Sequence, residues 1–433
     1  MSVGLERNEL IDWIRLAEAI GRSGTVFRKL VGHFTHPAEL FGAGEETLRA
    51  IPELTGNNIR ALRSGDPAGA IAIFEACERL GIRILPYGDD DFPRILREIP
   101  DPPPLLYSVG TLPDFANTFC VGMVGTRKMT ESGLENGYRL AYELASAQAL
   151  IISGLAEGID GVCAVGAMEG GGKTVAVIGC GLDIAYPRHH GKLMNRIVES
   201  GGAIFSEYPP GTRPMHYHFP IRNRIISGLS QVVIVVEAGA ASGSLITARE
   251  AVTQGRKVFA VPADAEAEEA AGNNQLLRDG ASVVLEAQDL VDRYRYVFDT
   301  RPLAEKVRPL VGGADREVLK RCGVIAWDRP EREHPAKRQP VGNGLPRENE
   351  PRVSPARDEE QPPQPAKTKM PDEVLQSLTP VQRAVLEAMP DDIPVTSESI
   401  RTEYPFGEVL AALTMLEILG IVRKLPGSMY GKV

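Results

Sequence analysis

FCVGMVGTRKMTESGLENGYRLAYELASAQALIISGLAEGID, residues Phe119 to Asp160, reads as strand, tight loop, helix, strand and second tight loop. Phe119 to Val124 is a short apolar run that Gly125-Thr126-Arg127 breaks. Thr130 or Ser132 suits the cap of the following helix, because a side-chain oxygen there accepts an orphan backbone N–H. Leu134, Tyr138, Leu140, Ala141, Leu144 and Ala145 recur at helical spacing, and Ala149 to Ile152 is the next strand, ended by Ser153-Gly154. The 29 positions from Gly125 to Gly154 are the length of one βαβ unit.

A strand that stops at a Gly-rich loop before a helix points free N–H groups, and the positive end of the helix dipole, at an anion. An Arg in the loop adds a planar fork that matches two phosphate oxygens. Gly125, Thr126, Arg127, Ser153 and Gly154 are therefore a candidate phosphate site. The alternative is a pair of ordinary βα turns, with Arg127 a solvated surface charge.

Working outward, the alternation continues. Strand patterns at Thr174 to Ile178, Ala203 to Phe205, Gln231 to Val236 and Val258 to Val261 are interleaved with helical ones at Val162 to Met168, His190 to Glu199, Arg222 to Gly228 and Ser242 to Gln254. Upstream, Ile82 to Gly88 and Leu105 to Tyr107 read as strands. Such alternation predicts an α/β fold with a parallel sheet covered on both faces. The loops at 125, 153, 179, 206 and 237 all follow strands, so they converge on the edge where such sheets bind ligands.

Flanking segments complete the organisation. Residues 1–80 read as an all-α domain of the SAM or helix-hairpin-helix kind: Leu48 to Arg63 gives two short helices around Pro-Glu-Leu-Thr-Gly, with Glu53 where a phosphate would approach. A Rossmann-like domain spans 81–298 and a linker 299–373, since twelve prolines fall between Arg301 and Pro371 and no Phe, Trp or Tyr between Trp327 and Tyr404. Residues 374–433 give three helices and two short strands around Pro426-Gly427, a winged helix. Its third helix carries Glu408, Thr414 and Glu417 but no Lys or Arg, which favours a protein contact or regulatory role over entry into a DNA groove.

At 43% apolar residues the chain can build a real core, and no run of eighteen apolar residues exists to cross a membrane. The charged start, MSVGLERNELIDW, lacks a signal core, and the five cysteines form no CxxC pair, so a reducing cytoplasm is expected and a structural zinc site is not. The net charge of −9 is uneven: residues 120–235 hold ten Lys/Arg against nine Asp/Glu, a balance of +1, and the remainder −10. A local basic groove is compatible with that total.

Several motifs point nowhere. GGGKT (Gly170 to Thr174) precedes a strand where a P-loop follows one, although Lys173 can still line a groove. The second strand ends in Ser153-Gly154 rather than the acid a nicotinamide ribose needs. His189-His190 and His216-x-His218 lack a third metal ligand, and no nucleophile–base order stands out, so neither metal nor cofactor is expected. The most specific stretch is FPIRNRIISGLSQVVIVVEAGAASGSLITAREA (Phe219 to Ala251), where Phe219 precedes Arg222, Asn223 and Arg224 at a helix start. Cations for a backbone and a ring for a base are what a single strand needs. In the competing reading Phe219 is core and the arginines pair with Glu207 or Glu237.

GTR, SGLAEGID, GCGLDIAYP, SEYPPGTRP, FPIRNRIISGLS and SGSLITAREA, in this order and spacing, resemble the DNA-processing protein family DprA, also called Smf, over about residues 80 to 290. The resemblance implies an extended Rossmann domain that binds single-stranded DNA and loads the recombinase RecA onto incoming strands in natural transformation. It also implies a homodimer formed through that domain, and no catalysis. Carried onto this sequence, its pocket uses Arg127, Ser153, Gly154, Lys173, Phe219, Arg222, Asn223 and Arg224; His216 stands nearby, where a permanent cation would hold DNA better at neutral pH. Two rival classes stand beside it. LOG-type nucleotide phosphoribohydrolases use a PGGxGT loop with a nearby Glu, but AGAASGS stands here, beside Glu237. A pure scaffold would act through the winged helix and bind no DNA.

Overall fold

In the computed structural model the described residues are 5–64, 66–298, 300, 311–325, 378–389 and scattered positions from 395 to 432. The chain divides into two units, 1–336 and 337–433.

Six helices begin the first unit: α1 (Arg7–Ala19), α2 (Gly24–Val31), α3 (Pro37–Gly42), α4 (Glu45–Arg49), α5 (Gly56–Arg63) and α6 (Ala68–Leu80). Trp13, Ile14, Leu16, Phe27, Leu30, Leu48 and Leu62 are buried where these helices pack on one another. Between α4 and α5 the turn is closed by Thr55, whose hydroxyl accepts from the Asn58 amide. Glu53 stands 3.5 Å from the Lys29 ammonium.

The sheet follows, with β1 (Arg83–Pro86), α7 (Arg94–Arg97), β2 (Leu105–Gly110), β3 (Cys120–Val124), α8 (Glu131–Ser146), β4 (Leu150–Ser153), α9 (Ile159–Glu169), β5 (Thr174–Ile178), α10 (Gly191–Glu199), β6 (Ala203–Ser206), α11 (His218–Gly228), β7 (Val232–Val235), α12 (Ser244–Thr253), β8 (Lys257–Ala260), α13 (Ala271–Arg278), β9 (Ser282–Val283) and α14 (Gln288–Tyr294). Its nine strands lie in the order β1-β2-β6-β5-β4-β3-β7-β8-β9. From β6 to β9 all neighbours are parallel, as the alternation requires. At the other edge β2 runs antiparallel to β6, and β1 to β2. The connection between β1 and β2 carries only the four-residue helix α7. The inner strands are buried on both faces, Val121 and Met123 against α8 and α9, and Cys120 and Val124 on the opposite side. All five cysteines are buried free thiols.

One boundary departs from the expected linker at 299–373. Gly313–Arg321 is a helix, α15, that lies on α9. Leu319 is fully buried, Val318 and Val324 nearly so, and the Tyr138 hydroxyl donates to Asp315 at 2.9 Å. The sequence pattern there was weak because the helix buries only a narrow stripe on a mostly charged nine-residue segment. Residues 299, 301–310 and 326–373 of that predicted linker lie outside the described residues.

In the second unit, the helix Pro380–Ala388 is capped by Thr379 in a reciprocal pair with Gln382. Strands β10 (Val395–Thr396), β11 (Val422–Leu425) and β12 (Met429–Lys432) form an antiparallel sheet in the order β10-β12-β11. Val409, Ala412, Leu413 and Leu416 are buried at helical spacing, while most of the expected second and third helices, with Glu408, Thr414 and Glu417, lies outside the described residues.

Leu319→Ala is expected to destabilise the first unit by about 2–5 kcal/mol, the cost of emptying a packed site. Urea unfolding of the full chain checks this; a linker residue would show no change.

Candidate nucleic-acid interface

The chain runs from β3 outward through β4, β5 and β6, then crosses back to β7 on the other flank of β3. That reversal opens a crevice at the C-terminal ends of β3 and β7, the usual ligand edge of an open α/β sheet. Loops are knitted together there. The Thr126 amide donates to the Glu237 carbonyl at 2.7 Å, and the Ile159 amide to the Thr126 carbonyl at 3.2 Å. Gly158 has φ +77°, and a Cβ on it would stand 2.4 Å from the Thr126 oxygen, so both conformation and contact demand glycine.

The anion gathered by the glycine loops is the chain's own Asp160. Its Oδ2 accepts from the Gly154 amide at 3.1 Å and the Ala156 amide at 3.3 Å, and the nearby Gly125 amide also favours the charged carboxylate. Arg222, buried alongside, donates to the carbonyls of Gly154, at 2.6 Å, and Val177. Burial pushes the Asp160 carboxyl up, against the pull of Arg222 and the three amides. Burial likewise draws the Arg222 guanidinium down to about 10, with Asp160 opposing. A Cβ at Gly154 would lie 2.6 Å from Arg222 and 2.7 Å from Asp160, so the pair closes around that glycine.

This arrangement corrects several expected contacts. Ser153 turns inward and donates to the Met123 carbonyl at 2.7 Å. Gly154 spends both backbone groups on Asp160 and Arg222. The Thr126 hydroxyl accepts from the Lys128 amide at 3.2 Å. Helix α11 starts at His218, four residues before the expected start at Arg222, which places Arg222, Asn223 and Arg224 on buried turns. Asn223 donates to the Gly243 carbonyl at 3.4 Å. Arg224 is locked by Glu207 through two bonds of 2.7 and 2.9 Å and lies 3.1 Å from Asp101, as the competing reading proposed. Burial holds the Asp101 carboxyl above its usual range although Arg224 pulls it down. Lys173 is exposed but immediately precedes β5, which puts it on the opposite rim of the sheet.

Outside this interior lies a different surface. Arg127 is exposed, with its guanidinium 5.4 Å from the centroid of the Phe219 ring, and Arg222 stands 6.0 Å from the same ring. Phe219 is half-buried in the first turn of α11. Tyr186 meets it at 5.2 Å and is itself 38% exposed. Tyr217, at 51%, and His216 continue the exposed rings. Behind them His218 stacks on Tyr208 at 3.9 Å and bonds the Gly179 carbonyl through Nδ1. Sequence reasoning missed Tyr186 and Tyr217; their signal was an aromatic beside a strand-end loop, in GCGLDIAYP and in MHYHF.

Glu237 is buried, and its carboxylate accepts from the Thr130 amide at 3.0 Å and the Thr130 hydroxyl at 2.5 Å. Among the described residues no group of three His, Cys, Asp or Glu side chains is placed to hold a metal, and no helix is long and apolar enough to cross a membrane.

Arg224→Ala is expected to cost about 3–5 kcal/mol, because it strands the buried Glu207 carboxylate. Urea unfolding tests it; a rim cation facing solvent would show a loss below about 1 kcal/mol.

Known proteins share this architecture. A family model described as DNA recombination-mediator protein A matches residues 83–295, and a DprA winged helix domain model matches residues 359–428. Protein Smf of Synechocystis sp. is 31% identical over 433 residues, covering 98% of this chain and 99% of that one. A putative DNA processing protein DprA of Mycobacterium tuberculosis is 36% identical over 315 residues, 72% of this chain and 76% of its own. The X-ray structure of DprA from Streptococcus pneumoniae superposes with a TM-score of 0.51 at 31% identity, over 67% of this chain and 98% of that one. With an internal anion closing the rim, a cation over a ring outside it, and a relative matched end to end, the chain belongs to the DprA/Smf family of DNA-processing proteins.

Proposed function

We propose that this protein binds single-stranded DNA across the Arg127–Phe219 face and assists the loading of RecA on incoming strands during recombination. The observation that carries the reading is the exposed Arg127 guanidinium 5.4 Å from the half-buried Phe219 ring at the ligand edge of the sheet. A strand offers phosphates to the first and a base face to the second. Duplex stacks its bases away and would use only the charge. Family membership supports the recombination context, the RecA partnership and dimerisation through the Rossmann domain. For the dimer, the sheet also ends in the short edge strand β9, where Val283 is 50% exposed and Leu285, just past the strand, 57%.

The role is binding without catalysis. A phosphoribohydrolase would need a carboxylate free to meet the sugar, and Glu237 is occupied by Thr130. The winged helix is assigned a protein-contact or regulatory role.

Phe219→Ala is expected to weaken single-strand binding roughly 5- to 150-fold, from about 1–3 kcal/mol of lost stacking. Arg127→Ala is expected to lower affinity and reduce the slope of log K against log salt by about 0.7, one single-strand phosphate contact. Fluorescence anisotropy with a labelled oligothymidylate at several salt concentrations reads both. Unchanged affinity and slope in both variants would overturn the reading.

A further inference from the structure

The ligand edge of the sheet is divided by charge. Along it the strand-end loops stand in the order β6, β5, β4, β3, β7, β8. The loops after β3, β5 and β6 expose Arg127, Lys128, Arg188 and Arg213. The loop after β8, VPADAEAEEAAG from Val261 to Gly272, exposes Asp264, Glu266, Glu268 and Glu269 and contains no Lys or Arg. Two exposed acids also lie on the cationic half. Asp183 accepts from the Gly211 amide at 2.8 Å, and Glu157 stands 3.5 Å from His189 Nε2.

The acidic loop is close to the site. Its 3-10 turn, Glu268–Ala270, packs on the loop after β7: a Cβ on Gly239 would stand 3.4 Å from the Glu268 oxygen, and the Gly272 amide donates to the Ala238 carbonyl at 2.8 Å. The β7 loop is bonded in turn to the β3 loop, through Glu237 and Thr126. Strand β8 lies two spacings from β3, about 10 Å, which is one Debye length at ~0.1 M salt. A phosphate carried past Arg127 toward β8 therefore meets carboxylates within screening distance. One carried toward β6 meets cations. The exposed rings lie on that same side, Tyr186 in the β5 loop and Tyr217 in the β6 loop.

We infer that the acidic loop after β8 is a stop: a bound strand runs from Phe219 over the β5 and β6 loops toward Arg213, and its path ends at Arg127. The inference rests on the strand-binding reading and gives it a direction and a length. From β3 to β6 is three spacings, about 14 Å, or roughly four phosphates at ~3.4 Å per charge of a stacked strand.

Benzoylphenylalanine in place of Met215, 42% exposed on the β6 loop, or of Ala265, exposed on the β8 loop, puts a photocrosslinker on each side. In the full chain the first is expected to crosslink a labelled oligothymidylate and the second is not. Arg213→Ala is expected to lower the slope of log K against log salt by about 0.7, one phosphate contact. Glu266→Gln, Glu268→Gln and Glu269→Gln together, all at exposed positions, are expected to raise affinity about threefold at low salt, with no gain at about 1 M, where charges are screened within ~3 Å. The same triple change is expected to let the Ala265 position crosslink. The inference is overturned, with strand binding intact, if Phe219→Ala weakens binding but position 265 already crosslinks as strongly as 215 beside the unaltered acids. It is overturned equally if Arg213→Ala and the triple variant leave affinity and slope unchanged. If Phe219→Ala and Arg127→Ala also change nothing, the strand-binding reading falls with it.

Discussion

The structure turns on a buried carboxylate. Asp160 draws in the amides of Gly154 and Ala156, and Arg222 closes over the same glycine from α11. Removing both charges from water is expensive, and only dense hydrogen bonding offsets it. The result is a rim whose loops have little freedom: the ends of β3, β4 and β5 and the start of α11 are fixed to one another. A loop geometry that elsewhere cradles phosphate here cradles an internal acid. That nest is therefore already filled from within, and the proposed strand contacts lie outside it, on the surface of the locked rim.

What it presents is modest in charge and rich in rings. Arg127 sits over Phe219, Tyr186 adjoins it, and Tyr217 and His216 follow on the approach to α11. The second internal pair, Arg224 with Glu207 and Asp101, anchors the helix that carries Phe219. Two arginines that look like ligand contacts thus act as struts. Affinity at such a face comes from stacking and a few well-placed cations rather than from a broad positive field.

The sheet was legible because its inner strands are continuous apolar runs and each ends in a glycine or polar cluster, and Thr130 caps α8 as its hydroxyl suggested. The site was legible only in part. Spacing cannot say which anion fills a nest, so Asp160, six residues past Gly154, passed unremarked. Residues two apart on a helix face different neighbours, so Arg222 and Arg224 could not be assigned without α11's true start at His218. Lys173 was misplaced although the rule was at hand, since a residue just before a parallel strand lies on the rim opposite the ligand edge. Helix α15 was hidden by its charge, its burial resting on Val318, Leu319 and the Tyr138–Asp315 bond.

Photocrosslinking with an oligonucleotide carrying 5-iodouracil, followed by peptide mapping, tests the account most directly, because it asks where a base touches the folded chain. The account predicts adducts on Phe219, with Tyr186 or Tyr217 as neighbours, and none on the buried residues Ser153, Gly154 and Asp160. Adducts confined to the winged helix, or to the rim around Lys173, would contradict it.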